Sequence, residues 1–125
     1  MSLVVDVFTV DENGGSRFLD VPEGSSDLAG FESWRTTVWG SEAVRSLGAR
    51  FFPRLAGGGL RVLPDDVPEF IEEVLLLLNN IESIAAHRDS PKPVAQRAGE
   101  IADRLDNVLD AARRALRIRG GVQIW

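Results

Sequence analysis

Between positions 67 and 86 the apolar residues fall at Val67, Phe70, Ile71, Val74, Leu77, Leu78, Ile81, Ile84 and Ala85. Spacings of three and four residues place them on one side of an α-helix, so one amphipathic helix is expected over Val67–Ala86. Leu75 and Leu76 widen the stripe, which predicts that neighbours cover the middle of this helix from more than one direction. A second stripe runs through Val94, Ala98, Ile101, Leu105, Val108, Leu109, Ala112 and Leu116. The brief connection His87–Ser90 makes the two helices antiparallel neighbours, and Ala98, Ala102, Ala111, Ala112 and Ala115 permit close approach. Asp66 is the expected N-cap of the first helix, with Glu69 completing a capping box and Pro68 tolerated in the first turn. Ser90 is the expected cap of the second, with Pro91 at its first position, and Gly120-Gly121 is its stop.

Elsewhere the pattern shortens toward period two. Leu3–Val10 is rich in β-branched residues and apolar on both sides, which predicts an interior strand. Asp6 breaks that pattern; a buried carboxylate needs a partner, and Arg17 across the following hairpin is the candidate. Asn13-Gly14 suits the positive φ angles of a tight turn, and Ser16–Val21 reads as the returning strand, ended by Pro22. Residues 22–40 are the least regular stretch, with a short helical turn expected at 26–31 and irregular or extended chain after it. Ser41 caps a short helix over Ser41–Leu47 that stops at Gly48. Arg50–Leu55 reads as a short strand interrupted by Pro53, Gly57–Gly59 as a turn, and Leu60–Leu63 and Val122–Trp125 as further strands. The fold class expected is α+β: a small, mostly antiparallel sheet packed against a long helical hairpin, forming a single domain over residues 1–125.

Composition narrows the chemistry. The chain has no cysteine, which removes disulfides, thiolate nucleophiles, iron–sulfur clusters and cysteine-based zinc sites. The N-terminal MSLVVDVFTV lacks a positive n-region and meets Asp6 early, so no targeting segment is read there. The longest apolar run within the first helix, Val74–Leu78, is far short of the about 20 residues of a membrane span. A soluble, cytoplasmic protein is expected, with no cofactor, no metal and no membrane or nucleic-acid partner.

Charge is unevenly distributed. Residues 1–40 carry seven acids (Asp6, Asp11, Glu12, Asp20, Glu23, Asp27, Glu32) against Arg17 and Arg35, which accounts for the whole net charge of −5. Nucleic-acid binding needs a positive footprint, so this region would suit a basic protein partner, although plain solubility is the simpler account of it. Arginine so outnumbers lysine, of which Lys92 is the single example, that a GC-rich genome is indicated.

No catalytic constellation stands out. His87, the single histidine, lies where a cation complements a helix C-terminus. Asp65-Asp66 sit where helix caps belong. Arg113, Arg114, Arg117 and Arg119 match the end of the last helix. Gly57–Gly59 lacks the Lys-Ser/Thr of a phosphate-binding loop, and no GxSxG nucleophile elbow is present. The grouping with the composition of a binding hot spot is Phe31, Trp34, Arg35 and Trp39; the alternative is that the tryptophans fold back over the sheet.

The N-terminal strand, the segment DLAGFESWRTTVWGSEAVRSLG at 27–48, two helices and the terminal GGVQIW resemble small uncharacterised actinobacterial proteins. In size and acidity the chain is also similar to immunity proteins of bacterial toxin systems. That resemblance implies a non-catalytic interaction module whose partner is a protein, a toxin, met through the acidic N-terminal half and the 31–39 segment. A small-molecule-binding protein or small enzyme, with a pocket between sheet and helices, is the second expectation. A homodimer through the helices is a third.

Overall fold

The computed structural model describes residues 1–87 and 91–125. In chain order it contains β1 (Ser2–Val10), β2 (Ser16–Phe18), β3 (Leu28–Phe31), a π-helical turn (Arg35–Trp39) and α1 (Glu42–Ser46). A 3-10 turn (Phe52–Gly57), β4 (Leu60–Val62) and a second 3-10 turn (Pro64–Asp66) follow. The chain then forms α2 (Val67–Asn79), α3 (Ile81–Ala86), α4 (Val94–Arg117) and β5 (Gly121–Ile124). The architecture is α+β, as the hydrophobic pattern predicts.

β1 is the axis of the sheet. On one edge it pairs antiparallel with β5, Val5 opposite Ile124 and Phe8 opposite Gly121, and β4 lies beyond β5. On the other edge its two halves have different partners. Phe8–Val10 pair with β2, whereas Ser2 and Val4 pair with β3 across a register shift. The connection stays close to that edge at both ends: Leu19 donates its N–H to Val7, and Val5 donates to Asp27. β2 and β3 therefore behave as one strand interrupted where residues 20–26 loop outward.

Alternation along the strands separates the two faces of the sheet. Leu3, Val5 and Val7 of β1, Val122 and Ile124 of β5, and Leu60 and Val62 of β4 are buried. They form one core with Ile101, Leu105 and Val108 of α4 and with Phe70, Val74 and Leu77 of α2. The opposite face carries Asp6, Phe8, Phe18, Arg61, Gln123 and Trp125. Asp6, Gln123 and Arg61 form one cross-strand row. Asp6 accepts a hydrogen bond from Trp125 Nε1 at 2.7 Å, which replaces the expected pairing with Arg17. Arg17 lies opposite Thr9, on the other side of the strand.

Several local expectations are corrected. The helix expected over Val67–Ala86 is two helices, broken at Asn80 (φ −118°, ψ 22°). Its side-chain Nδ2 donates to the Leu76 carbonyl at 2.9 Å, the acceptor that a continuous helix would offer to the Asn80 backbone. A short amide side chain competing for a backbone acceptor is a known way to interrupt a helix. Asp66 is not a side-chain cap: α2 is entered directly from the 3-10 turn, and Asp66 itself has helical angles. Glu69 instead meets Arg50 Nη2 at 2.6 Å. α4 starts at Val94 rather than Pro91; its expected cap, Ser90, lies outside the described residues. Ser41 does cap α1, accepting from the Val44 N–H at 3.3 Å, and His87 does occupy the C-cap of α3.

The predicted helical turn at 26–31 is β3, because Leu28 and Phe31 are placed by pairing with β1 rather than by helical spacing. The predicted strand at Arg50–Leu55 is a turn leading into a 3-10 helix. Its cause is a buried acid: the Glu73 carboxylate on α2 accepts the backbone N–H groups of Arg50, Phe51 and Phe52. Those three donors are thereby unavailable to a strand ladder. β2 is shorter than its predicted span, ending at Phe18. In the β1–β2 hairpin only Gly14 takes a positive φ, +80°. Asn13 is held instead by its N–H, which donates to the Asp11 side chain at 2.9 Å.

α4 ends in a Schellman arrangement, with Gly120 N–H donating to the Ala115 carbonyl and Arg119 N–H to that of Leu116. The left-handed position is Arg119 (φ 56°), not one of the glycines that follow it. A non-glycine residue there carries a conformational cost of about 1 kcal/mol. Replacing Arg119 with Gly is expected to stabilise the protein by about 0.5–1 kcal/mol, seen as a higher urea midpoint at unchanged denaturant slope. Glu73→Ala leaves three consecutive backbone donors without their acceptor and is expected to cost about 3 kcal/mol or more. Glu73→Gln retains a carbonyl acceptor and should fall between wild type and Glu73→Ala in the same measurement.

Candidate partner-binding surface

The 31–39 segment enters from β3 and immediately forms the π-helical turn. The turn is closed by the Gly40 N–H donating to the Arg35 carbonyl at 2.8 Å. Gly40 is needed there: a Cβ on it would lie 2.6 Å from that same carbonyl oxygen and 2.7 Å from Ala56 Cβ. The wide turn sets Trp34 and Trp39 edge to face, ring centroids 5.7 Å apart. Trp39 continues inward to Phe52 at 4.9 Å, and Phe52 stacks on Phe70 of α2 at 5.5 Å. Trp39 Nε1 donates to the Ala29 carbonyl at 3.0 Å, which ties the turn to β3.

The four residues singled out in the sequence therefore have different positions. Trp34 and Trp39 are 1% and 0% exposed, placing both indoles in the core, where they fold back as the alternative reading supposed. Arg35 is a tether. Its guanidinium pairs with Glu32, donates to the Gly58 carbonyl at 2.6 Å and donates to the Trp125 main-chain carbonyl at 2.7 Å. It thus joins the π-turn, the glycine-rich loop and the end of the sheet. Phe31, 50% exposed, is the member available to a partner. Its ring meets the edge of Trp34 at 5.7 Å. It borders a shallow groove of about 160 Å³ shared with Glu100, Asp103 and Arg104 of α4.

The acidic residues acquire a definite location. Asp11 and Glu12 form the tip of the β1–β2 hairpin, Asp20 and Glu23 lie on the looped-out 20–26 connection, and Glu32 follows β3; all five are exposed. They trace the interrupted edge of β1, with Phe31 at one end. Asp27, half-buried, lies between them on the same edge. The surface is preorganised where β3 is fixed: Asn107 of α4 donates to the Leu28 carbonyl at 2.9 Å.

Two buried charged residues were not singled out from the sequence, although periodicity marks their positions. Glu73 lies three residues after Phe70 and four before Leu77, and Arg97 four before Ile101, so both occupy core-facing positions of their helices. Both serve the backbone. Arg97 Nε donates to the Ala85 carbonyl at 3.1 Å and Nη1 to the Lys92 carbonyl at 2.6 Å, linking the end of α3 to the entry of α4. Glu73 fixes the 50–52 turn. Among the described residues no group of three or more His, Cys, Asp or Glu side chains is placed to hold a metal ion, and no helix is long and apolar enough to cross a membrane. Comparison with family models, curated proteins and solved structures returns no match to this chain.

The burial difference within the segment is directly measurable. Trp34→Ala and Trp39→Ala are each expected to cost about 3–5 kcal/mol of stability. Phe31→Ala should cost under about 1 kcal/mol. Chemical denaturation followed by circular dichroism separates the two classes.

Proposed function

We propose that this chain is a non-catalytic protein-interaction module that binds a basic protein partner along the interrupted edge of β1. The observation that carries the reading is the gathering of Asp11, Glu12, Asp20, Glu23 and Glu32 on one exposed edge, with the half-exposed ring of Phe31 at its end. An acidic surface accelerates encounter with a cationic partner and disfavours polyanions, while an exposed aromatic ring supplies desolvated contact area. In an immunity-like role the partner is a cationic toxin domain, and the module acts in the cytoplasm by occluding it. The tethering of β3 and the π-turn into the core supports this reading, because a surface already ordered loses little entropy on binding.

The test is binding of the purified protein to basic toxin domains encoded beside its gene, measured by calorimetry. The expected result is an affinity that falls as salt rises. Asp20→Lys/Glu23→Lys, a charge reversal confined to the exposed connection, should weaken binding by about tenfold or more with an unchanged circular dichroism spectrum. Binding that is indifferent to both salt and the reversal would overturn the acidic-edge assignment.

A further inference from the structure

The tip of the β1–β2 hairpin presents a pair of residues whose chemistry the fold does not use. Asn13 is followed by Gly14, and residues 11–18 are all exposed. The Asn13 main-chain N–H donates to Asp11 Oδ1 at 2.9 Å, but among the described residues its side-chain amide has no hydrogen-bond partner. Gly14 takes a φ of +80°, and a Cβ built there would meet nothing within 4 Å. A carboxamide carbon and the main-chain nitrogen that follows it thus lie next to each other in solvent, with no Cβ on the second residue to hinder their approach.

We propose that Asn13 is a site of spontaneous covalent modification, losing its side-chain amide through a cyclic imide formed with Gly14. The Gly14 N–H gives its proton to hydroxide, and the nitrogen attacks the Asn13 side-chain carbonyl carbon. The new C–N bond closes a five-membered ring. The bond from that carbon to the side-chain nitrogen breaks, and the nitrogen takes a proton from water and leaves as ammonia. Water then opens the ring at one of two bonds. Cleavage of the new bond leaves aspartate at position 13. Cleavage of the original peptide bond leaves isoaspartate, with the main chain running through the side-chain carbon. Water is the sole co-reactant.

The turn sets the rate. The Gly14 N–H donates to the Asp11 carbonyl at 3.0 Å, so that bond opens before the proton is lost, and the carboxylates of Asp11 and Glu12 disfavour an anionic nitrogen beside them. Both effects slow the reaction in the folded chain without blocking it, because an exposed turn held by few bonds opens locally at small cost. The other asparagines, Asn79, Asn80 and Asn107, are poorly placed for the same step. They are followed by Asn80, Ile81 and Val108, each with a Cβ beside the attacking nitrogen. The amides of Asn80 and Asn107 are also engaged, on the Leu76 and Leu28 carbonyls. The product adds one negative charge beside Asp11 and Glu12. That charge falls on the acidic edge of β1, but the inference stands independently of any partner bound there. Isoaspartate also lengthens the main chain by one methylene inside the turn that Asp11 N–H closes on the Gly15 carbonyl at 2.8 Å, so that product loosens the tip.

Ageing the purified, folded protein at physiological temperature in mildly alkaline buffer tests this. Ion exchange is expected to resolve a growing form one charge unit more negative than the −5 of the starting chain. Digestion under mildly acidic conditions, followed by mass spectrometry, should place the change at residue 13 as a mixture of aspartate and isoaspartate. The rate should rise with pH, and it should rise again when the chain is unfolded in urea. Asn13→Ser, a change confined to the exposed tip, should lose the acidic form entirely. Folded protein that keeps its amide at residue 13 while the urea-unfolded chain converts would overturn the inference, since the turn then protects the site. A first acidic form mapping to Asn79, Asn80 or Asn107, or one that persists in Asn13→Ser, overturns it too.

Discussion

The Glu73 carboxylate is the point on which the interior depends. It is a charged group at a core position of α2, and it is tolerated because three consecutive backbone N–H groups, those of Arg50, Phe51 and Phe52, converge on it. Buried carboxylates persist when hydrogen bonds replace the lost hydration. The consequence is geometric. Fixing 50–52 delivers Phe52 beneath Trp39 and Leu55 into the core, so the aromatic line from Trp34 through Trp39 and Phe52 to Phe70 is continuous. One polar contact thereby positions the apolar packing that joins the π-turn to the helices. The small aromatic surface at Phe31 rests on that packing.

The same logic explains what could be read from the chain and what could not. Strands β1 and β5 and helices α2 and α4 were legible because their stabilisation comes from a repeating apolar face, which periodicity reports directly. The errors fall where a single distant partner sets the backbone. Residues 50–55 resemble a strand in composition, but their donors are claimed by an acid some twenty residues later. Residues 26–31 have helical spacing at Leu28 and Phe31, yet pairing with β1 decides their conformation. Asn80 looks like any polar position in a long helix until its amide is seen on the Leu76 carbonyl. Arg119, rather than its glycine neighbours, occupies the left-handed position because the Schellman bonds fix the register of the chain reversal. The candidate site was legible as composition but not as exposure: Trp and Arg clustered as they do in hot spots, and only the three-dimensional path separates an exposed Phe31 from buried indoles.

The interrupted edge of β1 also solves a problem common to small sheets. A long, flat, apolar edge invites pairing with other chains. Here β2 and β3 cover separate halves of that edge, the chain between them loops out, and acids occupy the tip and the loop. The edge is thus short, irregular and charged. Those properties hold off indiscriminate strand addition.

The pairing of β1 with β5 has a kinetic consequence. Val5 is opposite Ile124 and Asp6 opposite Gln123, contacts that span nearly the whole chain. Such pairings carry a large loop-closure entropy and slow folding. During synthesis β1 must wait beside β2 and β3 with its second edge open until residues 121–124 have emerged. The helices, built from local contacts, can order earlier and present the apolar surface onto which the sheet then assembles. Arg35, gripping the Trp125 carbonyl, acts at the close of that sequence. It is a latch on the strand that joins β1 to β4.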